Sequence, residues 1–118
     1  WHSQSVESYY IHGGGIKIVS PSTPRDAYGL MLAAIRDPDP VLMIEPVPLY
    51  RAAAQEVEDN GEALPIGPAE TVREGSDVTI VAFSRMVRLA LEAAEKAVIL
   101  LKNKEHMKKN IDKIIQKK

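Results

Sequence analysis

Two short apolar runs on either side of one helix-forming stretch constrain this chain more than any other feature. Ile16–Val19 and Val41–Ile44 are rich in β-branched and long aliphatic residues, which is typical of strands. Between them, Thr23-Pro24 is typical of a helix start, and the prolines of Asp37–Pro40 disfavour the α conformation for the residues before them. The pattern predicts a strand, a helix over 24–36 and a second strand, which together form a parallel βαβ unit.

Composition places the chain among ordinary globular proteins. It has 118 residues and a mass of 13.0 kDa, with 45% apolar and 26% charged residues, which excludes disordered, collagen-like and coiled-coil classes. The absence of cysteine excludes a disulfide scaffold, a thiolate metal site and a cysteine nucleophile. No apolar run reaches the ~18 residues of a membrane span. The start at Trp1 lacks a signal peptide and an initiator methionine, so we expect an upstream natural start.

Weaker signals describe the rest of the first half. Residues 3–11 predict a short helix capped by Ser3 or Ser5, with an apolar face at Val6, Tyr9 and Tyr10. The glycines at 13–15 are expected to end this helix; they could also cradle a phosphate, but phosphate loops open a helix and here a strand follows. Apolar residues spaced by three and four predict the buried face of the helix over 24–36: Ala27, Leu30, Met31, Ala34 and Ile35.

The second half begins with a change in character. Residues 45–65 have few periodic apolar positions and predict a linker or a connection that crosses the surface. Residues 69–72 and 77–83 predict two strands of a hairpin. From Met86 onward a helical pattern begins, and it continues beside the lysines as far as Ile115.

The net charge of −1 divides unevenly along the chain. Residues 97–118 carry seven lysines and two acidic residues, a net charge of +5, so residues 1–96 carry −6. Such a tail is typical of a polyanion-binding arm, of a solvated helical face or of a foreign extension. No aromatic residue lies among the tail lysines, whereas a nucleic-acid groove combines basic charge with stacking rings. We therefore expect no nucleic-acid partner, and the lack of a long apolar run leads us to expect no membrane partner.

Taken by themselves, the residues define no active site. The histidines are too scattered to form a ligand set: His2, His12 and His106. Asp37 and Asp39, in the Pro-containing turn, fit either a helix stop or a cation site with carboxylate or carbonyl ligands. Glu45 follows the second strand at the edge where parallel sheets bind ligands, and it could equally be an ordinary loop carboxylate.

A series of motifs, in order and nearly without gaps from His2 to Ala97, resembles one enzyme family. The motifs are His2-Ser3-Gln4-Ser5, Pro21-Ser22-Thr23-Pro24, Ala34-Ile35-Arg36-Asp37-Pro38-Asp39-Pro40-Val41, Ile44-Glu45-Pro46, Leu49-Tyr50-Arg51 and Glu74-Gly75-Ser76-Asp77-Val78-Thr79-Ile80-Val81. The family is the beta subunit of the thiamine-diphosphate-dependent decarboxylating component of 2-oxo-acid dehydrogenase complexes. After Lys96 the chain departs from the family pattern, which continues to a glycine, a strand and an aspartate.

The resemblance implies an α/β fold made from pieces of two domains. Residues 1–58 would form the C-terminal part of a transketolase-like pyrimidine-binding domain, and residues 59–97 the start of a transketolase C-terminal-like domain. Residues 98–118 would be an atypical basic helical tail. The resemblance also implies one catalytic residue, His2, which acts as an acid/base or orienting group toward the acylated cofactor and the lipoyl group. An imidazole suits that role because it titrates near neutral pH.

The resemblance further implies a structural potassium ion and an organic cofactor. The potassium site would be built from main-chain carbonyls at Ala34, Ile35, Asp37 and Asp39, and carbonyl dipoles at a helix C-terminus suit a monovalent cation. The cofactor would be thiamine diphosphate, with Mg²⁺ held mainly by the alpha subunit. The glutamate that activates this cofactor lies upstream of the region matched here, so we expect no cofactor-binding residue in this piece and no activity from it alone.

The implied partners are the alpha subunit of the same component, a second beta subunit in a heterotetramer, and the dihydrolipoyl acyltransferase core. The expected location is the cytoplasm, or the mitochondrial matrix in a eukaryote. Motifs of both the pyruvate and the branched-chain type are present. We expect pyruvate as the substrate, because that reaction is the most widespread in the family, with a branched-chain 2-oxo acid as the alternative. Two other functions stay open: a shortened, non-catalytic paralogue that acts as an interaction module, and a relict without function.

Overall fold

The computed structural model describes residues 4–52 and 54–115, with side chains as far as Lys104. In chain order the elements are helix α1 (Glu7–Gly13), strand β1 (Lys17–Val19), helix α2 (Pro24–Arg36), strand β2 (Val41–Met43), a short 3₁₀ helix (Val47–Arg51) and helix α3 (Met86–Ile115). The chain divides into two compact units, residues 1–87 and 88–118.

The first unit is organised by the predicted βαβ arrangement. β1 and β2 pair in parallel, with Lys17 opposite Val41 and Val19 opposite Met43. Val19 is 8% exposed and is the buried member of β1, while β2 is half-buried along its length. The predicted α/β class is therefore confirmed, and this small sheet fixes where the turn after α2 lies.

Helix α2 begins and ends where the sequence predicts. Thr23 is the N-cap, and its hydroxyl accepts a hydrogen bond from the Asp26 amide at 3.1 Å. The Asp26 carboxylate in turn accepts from the Thr23 amide at 3.0 Å and from both the amide and the hydroxyl of Ser22. This capping box satisfies amide groups that a helix N-terminus otherwise leaves unpaired.

A connection crosses α2, as the sequence of residues 45–65 predicts, although the 3₁₀ helix within it was not expected. The Leu64 amide donates to the Gly29 carbonyl at 3.0 Å, and the Arg36 guanidinium donates to the Gly61 carbonyl at 3.0 Å. The Tyr28 hydroxyl donates to Asp59 at 2.7 Å and accepts from the Gly61 amide at 2.9 Å. These bonds hold the connection against the helix.

The predicted hairpin over 69–83 is wrong. Neither 69–72 nor 77–83 forms a strand, and their apolar side chains are largely in solvent, with Val78 at 77% and Val81 at 89% exposure. An isolated two-stranded hairpin is marginal in water without a third strand or a covering helix. In the described part of the chain, no element covers this segment, so its strong β propensity is not realised.

Helix α1 differs from the prediction at its start. It begins at Glu7 with Val6 as a cap that makes no side-chain bond, so Ser5 is not the cap, and Ser3 lies outside the described residues. It ends as predicted, because the C-cap Gly14 has φ 66°, the left-handed conformation that favours glycine. Its predicted apolar face is exposed at all three positions: Val6, Tyr9 and Tyr10.

The predicted buried face of α2 is only partly correct. Ala27, Leu30 and Ala34 are half-buried, whereas Met31 and Ile35 are exposed, the latter at 73%. The fully covered position of this helix is Gly29, on the side that the connection crosses. An apolar side chain is buried only where another element packs on it, and here the connection covers the opposite side of the helix.

Helix α3 is one continuous element, as the pattern from Met86 to Ile115 predicts. Its residues 98–101 are exposed apolar side chains: Val98, Ile99, Leu100 and Leu101. Within residues 4–52 and 54–115, no helix is both long and apolar enough to cross a bilayer.

Candidate functional site

The turn after α2 brings three charged side chains together. Lys17, the first residue of β1, places its ammonium 2.8 and 2.9 Å from the two carboxylate oxygens of Asp37. The same nitrogen lies 3.1 Å from Oδ2 of Asp39. Asp37 also accepts from the Asp39 amide at 2.9 Å, which folds the turn around its own carboxylate. The turn is therefore fixed by one cation and two anions.

These contacts shift two pKa values in opposite directions. The hydrogen bond from the Lys17 ammonium, aided by the Asp39 amide, holds the pKa of the Asp37 carboxyl below its ordinary value. Hydrogen bonds to Asp37 and then to Asp39 raise the pKa of the Lys17 ammonium. Both charged forms are stabilised, as expected for an ion pair whose Asp37 side chain is 12% exposed.

These two pKa shifts predict that the folded state loses stability at both low and high pH. The lowered pKa of Asp37 stabilises the folded state at pH values above the pKa that this carboxyl has in the unfolded chain. That contribution is lost as pH falls through its pKa in the folded chain. The raised pKa of Lys17 stabilises the folded state at pH values below the pKa that this ammonium has in the unfolded chain. That contribution is lost as pH rises through its pKa in the folded chain. We expect carbon-13 NMR titration to show Asp37 protonating at lower pH than in Lys17→Met. In Lys17→Met the Asp39 amide still lowers the pKa of Asp37 in part. An Asp37 pKa that is the same with and without Lys17 would contradict the assignment.

Glu45 lies beyond the carboxyl end of β2, where the sequence places a candidate ligand carboxylate. Its Oε2 accepts a hydrogen bond from the Tyr50 hydroxyl at 2.7 Å. This bond raises the pKa of the Tyr50 phenol, because ionised phenol would lose the proton that it donates. Tyr50 belongs to the 3₁₀ helix, so the pair ties the start of the connection to the end of β2.

A cavity lies between α2 and the connection. It is an open cavity of about 220 Å³. Its lining is mainly polar and charged: Arg25, Tyr28, Gly29, Glu56, Val57, Glu58, Asn60, Glu62 and Leu64. The bond to Asp59 raises the pKa of the Tyr28 phenol at its wall. Acidic side chains outnumber Arg25 here, and Arg25 lies 3.5 Å from the Glu70 carboxylate, so the cavity does not present a free anion-binding group.

The structure describes four of the five predicted site residues. His2 lies outside the described residues. Ala34 and Ile35 are in the last turn of α2, Asp37 is its C-cap, and Asp39 follows Pro38. Among the described residues, no three His, Cys, Asp or Glu side chains converge as metal ligands.

Sequence reasoning missed Lys17 as a member of this cluster. The signal was present, because a parallel pairing of the two predicted strands places the start of β1 beside the start of β2. The start of β2 directly follows Asp37–Pro40, so a basic residue at the first position of β1 lies next to that turn. The backbone confirms this proximity: the Lys17 amide donates to the Pro40 carbonyl at 3.0 Å.

Two family models match this chain and define its class. The model for the transketolase pyrimidine binding domain matches residues 1–53, and the model for the transketolase C-terminal domain matches residues 67–99. The chain therefore belongs to the transketolase-like proteins and carries parts of two of their domains.

The individual proteins that match this chain narrow the class further, since they are beta subunits of 2-oxo-acid dehydrogenases. The 2-oxoisovalerate dehydrogenase subunit beta of Bacillus subtilis is 49% identical over 96 residues, 81% of this chain and 29% of that protein. The mitochondrial 2-oxoisovalerate dehydrogenase subunit beta of Dictyostelium discoideum is 46% identical over 82% of this chain and 26% of that protein. The pyruvate dehydrogenase E1 component subunit beta of Acholeplasma laidlawii is 48% identical over 85% of this chain and 29% of that protein.

These matches confirm the family resemblance that the motifs indicate. The chain spans less than a third of the length of these relatives. Pyruvate and 2-oxoisovalerate enzymes match at similar identity, so both substrate types occur among the relatives. The domain boundary near residue 58, the role of His2 and the cation ligands stay predictions.

Proposed function

We propose that this chain is part of the beta subunit of a pyruvate dehydrogenase-like enzyme. The enzyme would carry out thiamine-diphosphate-dependent oxidative decarboxylation of a 2-oxo acid and transfer the acyl group to a lipoyl group. The proposal is carried by relatives of 44–50% identity that match about four-fifths of the chain. Two domain matches in the same chain support it. The chain would act with an alpha subunit, a second beta subunit and an acyltransferase core, in the cytoplasm or the mitochondrial matrix.

When bound, thiamine diphosphate would supply the carbanion chemistry that decarboxylation of a 2-oxo acid requires. This chain would contribute His2, which donates or accepts a proton as the acyl group moves to the lipoyl sulfur. An imidazole exchanges protons near neutral pH, which suits a step that handles both an alkoxide and a thiolate. No described residue is assigned to the cofactor itself, and Mg²⁺ would be held mainly by the alpha subunit.

The proposal includes a potassium ion at the main-chain carbonyls of the turn after α2. The last carbonyls of a helix lack intrahelical partners and carry partial negative charge, and Ala34 and Ile35 belong to the last turn of α2. Lys17 offsets part of the negative charge of the Asp37 and Asp39 carboxylates, and the proposed donors to a further cation are the carbonyl oxygens. Such neutral oxygens suit a monovalent cation. A potassium ion here would hold the loop after α2 in place.

Two alternatives remain. A branched-chain 2-oxo acid as substrate is favoured by one observation: within Bacillus subtilis, the 2-oxoisovalerate subunit matches at 49% identity and the pyruvate subunit at 44%. A non-catalytic interaction module is favoured by the 30-residue α3, which ends in basic sequence unlike the family pattern. In that case the chain would bind an alpha subunit without supporting decarboxylation.

A graft tests the proposed function. Residues 1–97 would replace the matching segment of the Acholeplasma laidlawii pyruvate subunit, which is then produced with its alpha subunit. We expect an assembled enzyme that decarboxylates pyruvate when thiamine diphosphate and Mg²⁺ are supplied. The parent subunit with its own segment is the control.

The failure outcomes separate the alternatives. Assembly with the alpha subunit without decarboxylation would overturn the catalytic proposal and favour the interaction module. Failure to assemble would contradict the proposed interaction with an alpha subunit. An equivalent graft into the Bacillus subtilis 2-oxoisovalerate subunit tests the branched-chain alternative with 2-oxoisovalerate as the substrate.

A further inference from the structure

Lys17 contacts both aspartates of the turn after α2. It is the sole lysine before Lys96 in the sequence, and its ammonium contacts three carboxylate oxygens, two from Asp37 and one from Asp39. The ammonium donates hydrogen bonds to both oxygens of Asp37 and forms an ion pair with Oδ2 of Asp39 at 3.1 Å. The two carboxylates therefore hold a cation that the chain itself supplies.

The backbone of the same residue holds the far end of the turn. The Lys17 amide donates to the Pro40 carbonyl at 3.0 Å, while its side chain bonds to Asp37 at the near end. Asp37 and Asp39 are further joined through the Asp39 amide at 2.9 Å. One residue of β1 thus contacts the turn at three of its four positions.

These contacts have a consequence for cations. Two carboxylates separated by one residue offer the oxygen ligands that Ca²⁺ and Mg²⁺ prefer. A resident ammonium offsets one of their two negative charges and contacts three of their four oxygens, so a divalent ion would bind there against direct repulsion from the ammonium. The carbonyl oxygens at the end of α2 are not part of this ion cluster and keep their partial negative charge.

We propose that Lys17 sets the cation selectivity of the turn after α2: its ammonium keeps divalent ions off Asp37 and Asp39 and holds the turn for a monovalent cation at the main-chain carbonyls. The monovalent half of this inference rests on the proposed potassium site. The exclusion of divalent ions rests on the ion cluster alone.

The test uses the full 118-residue chain with Lys17 neutralised in two ways, Lys17→Met and Lys17→Gln. Lys96→Met removes the same charge from α3 and is the matched control, while Lys17→Arg keeps the charge at the turn. Each chain is titrated with CaCl₂ at constant ionic strength, and the amide NMR signals of Asp37 and Asp39 are followed. The signals of α2 show whether each variant is folded.

We expect both neutral variants to bind Ca²⁺ roughly tenfold or more tightly than the unaltered chain, because the repelling charge is gone. Lys96→Met and Lys17→Arg should behave like the unaltered chain. Equal Ca²⁺ affinity in Lys17→Gln and Lys96→Met would overturn the inference. An equal increase in Ca²⁺ affinity in Lys96→Met would also overturn it, because the increase would then not depend on the charge at the turn.

A second titration keeps this inference separate from the potassium proposal. KCl and LiCl are compared at equal ionic strength by the thermal midpoint of the unaltered chain and of Lys17→Gln. We expect a higher midpoint in K⁺ for the unaltered chain and a smaller difference in the variant. Equal midpoints in the unaltered chain would overturn the potassium site, while the Ca²⁺ result still decides the role of Lys17. A potassium preference that is undiminished in Lys17→Gln would overturn the positioning half of the inference.

Discussion

Replacing Gly29 with alanine should destabilise the first unit by about 1–2 kcal/mol, although alanine is the better helix former. A Cβ at this position would lie 2.5 Å from Cγ and 2.9 Å from Cδ1 of Leu64. The close approach is enforced by the hydrogen bond from the Leu64 amide to the Gly29 carbonyl at 3.0 Å. The connection must therefore move away from α2, or Leu64 must leave its rotamer, to admit one methyl group.

A second substitution identifies the cause. In a Leu64→Ala background, the two closest atoms are absent and the remaining Cβ contact of 3.2 Å needs only a small adjustment. There, Gly29→Ala should be neutral or stabilising by up to about 1 kcal/mol, because the helix-propensity gain is no longer opposed. The sign of the alanine effect should reverse between the two backgrounds.

The measurement is amide hydrogen exchange in α2 under native conditions, with circular dichroism as a second probe. Exchange at α2 reports the first unit directly, whereas circular dichroism also includes the 30 residues of α3. If Gly29→Ala destabilises equally with and without the Leu64 side chain, the steric explanation is wrong. Gly13→Ala is a matched control, since a Cβ there meets nothing within 4 Å.

Replacing His2 with alanine should lower the rate of acyl transfer to lipoyl groups by roughly 100-fold or more, the typical contribution of a positioned acid or base. The experiment uses the grafted subunit assembled with its alpha subunit and acyltransferase core. The decarboxylation half-reaction, followed with an artificial electron acceptor, should fall less, because His2 is expected to act on the acyl and lipoyl groups. Assembly should not change.

The matched control for this change is His12→Ala. His12 is an exposed residue in the last turn of α1 and carries no predicted role. We expect its replacement to leave both half-reactions at the parent rate. Unchanged lipoyl acylation in His2→Ala would defeat the catalytic assignment, and an equal loss in both variants would indicate a structural effect of altering this segment.

The bounds of α2 show what local sequence can determine. Its N-terminus needs only a capping side chain and a proline with a compatible φ, and Thr23 and Pro24 supply both within two residues. Its C-terminus needs only the restriction that Pro38 places on Asp37. Because these effects act over a few bonds, the sequence predicts the helix to the residue.

The segment over 69–83 shows where local sequence fails. Its β-branched residues indicate strands, yet a strand exists only when a partner satisfies its amide and carbonyl groups. The same holds for Met31 and Ile35, which have the spacing of a buried face and remain exposed. Both errors arise because burial depends on neighbouring elements rather than on the residue itself.

The candidate site divides in the same way. The sequence by itself determined the family, the βαβ unit and the acidic turn after α2, since each depends on residues close together in the chain. The tertiary structure alone decided that Lys17, twenty residues before Asp37, fills that turn with an ammonium. It also decided that Gly29 admits Leu64 to the surface of α2. Both contacts depend on two distant segments meeting in space. The parallel pairing of the predicted strands indicates that Lys17 lies near the turn, but periodicity along the chain predicts neither contact.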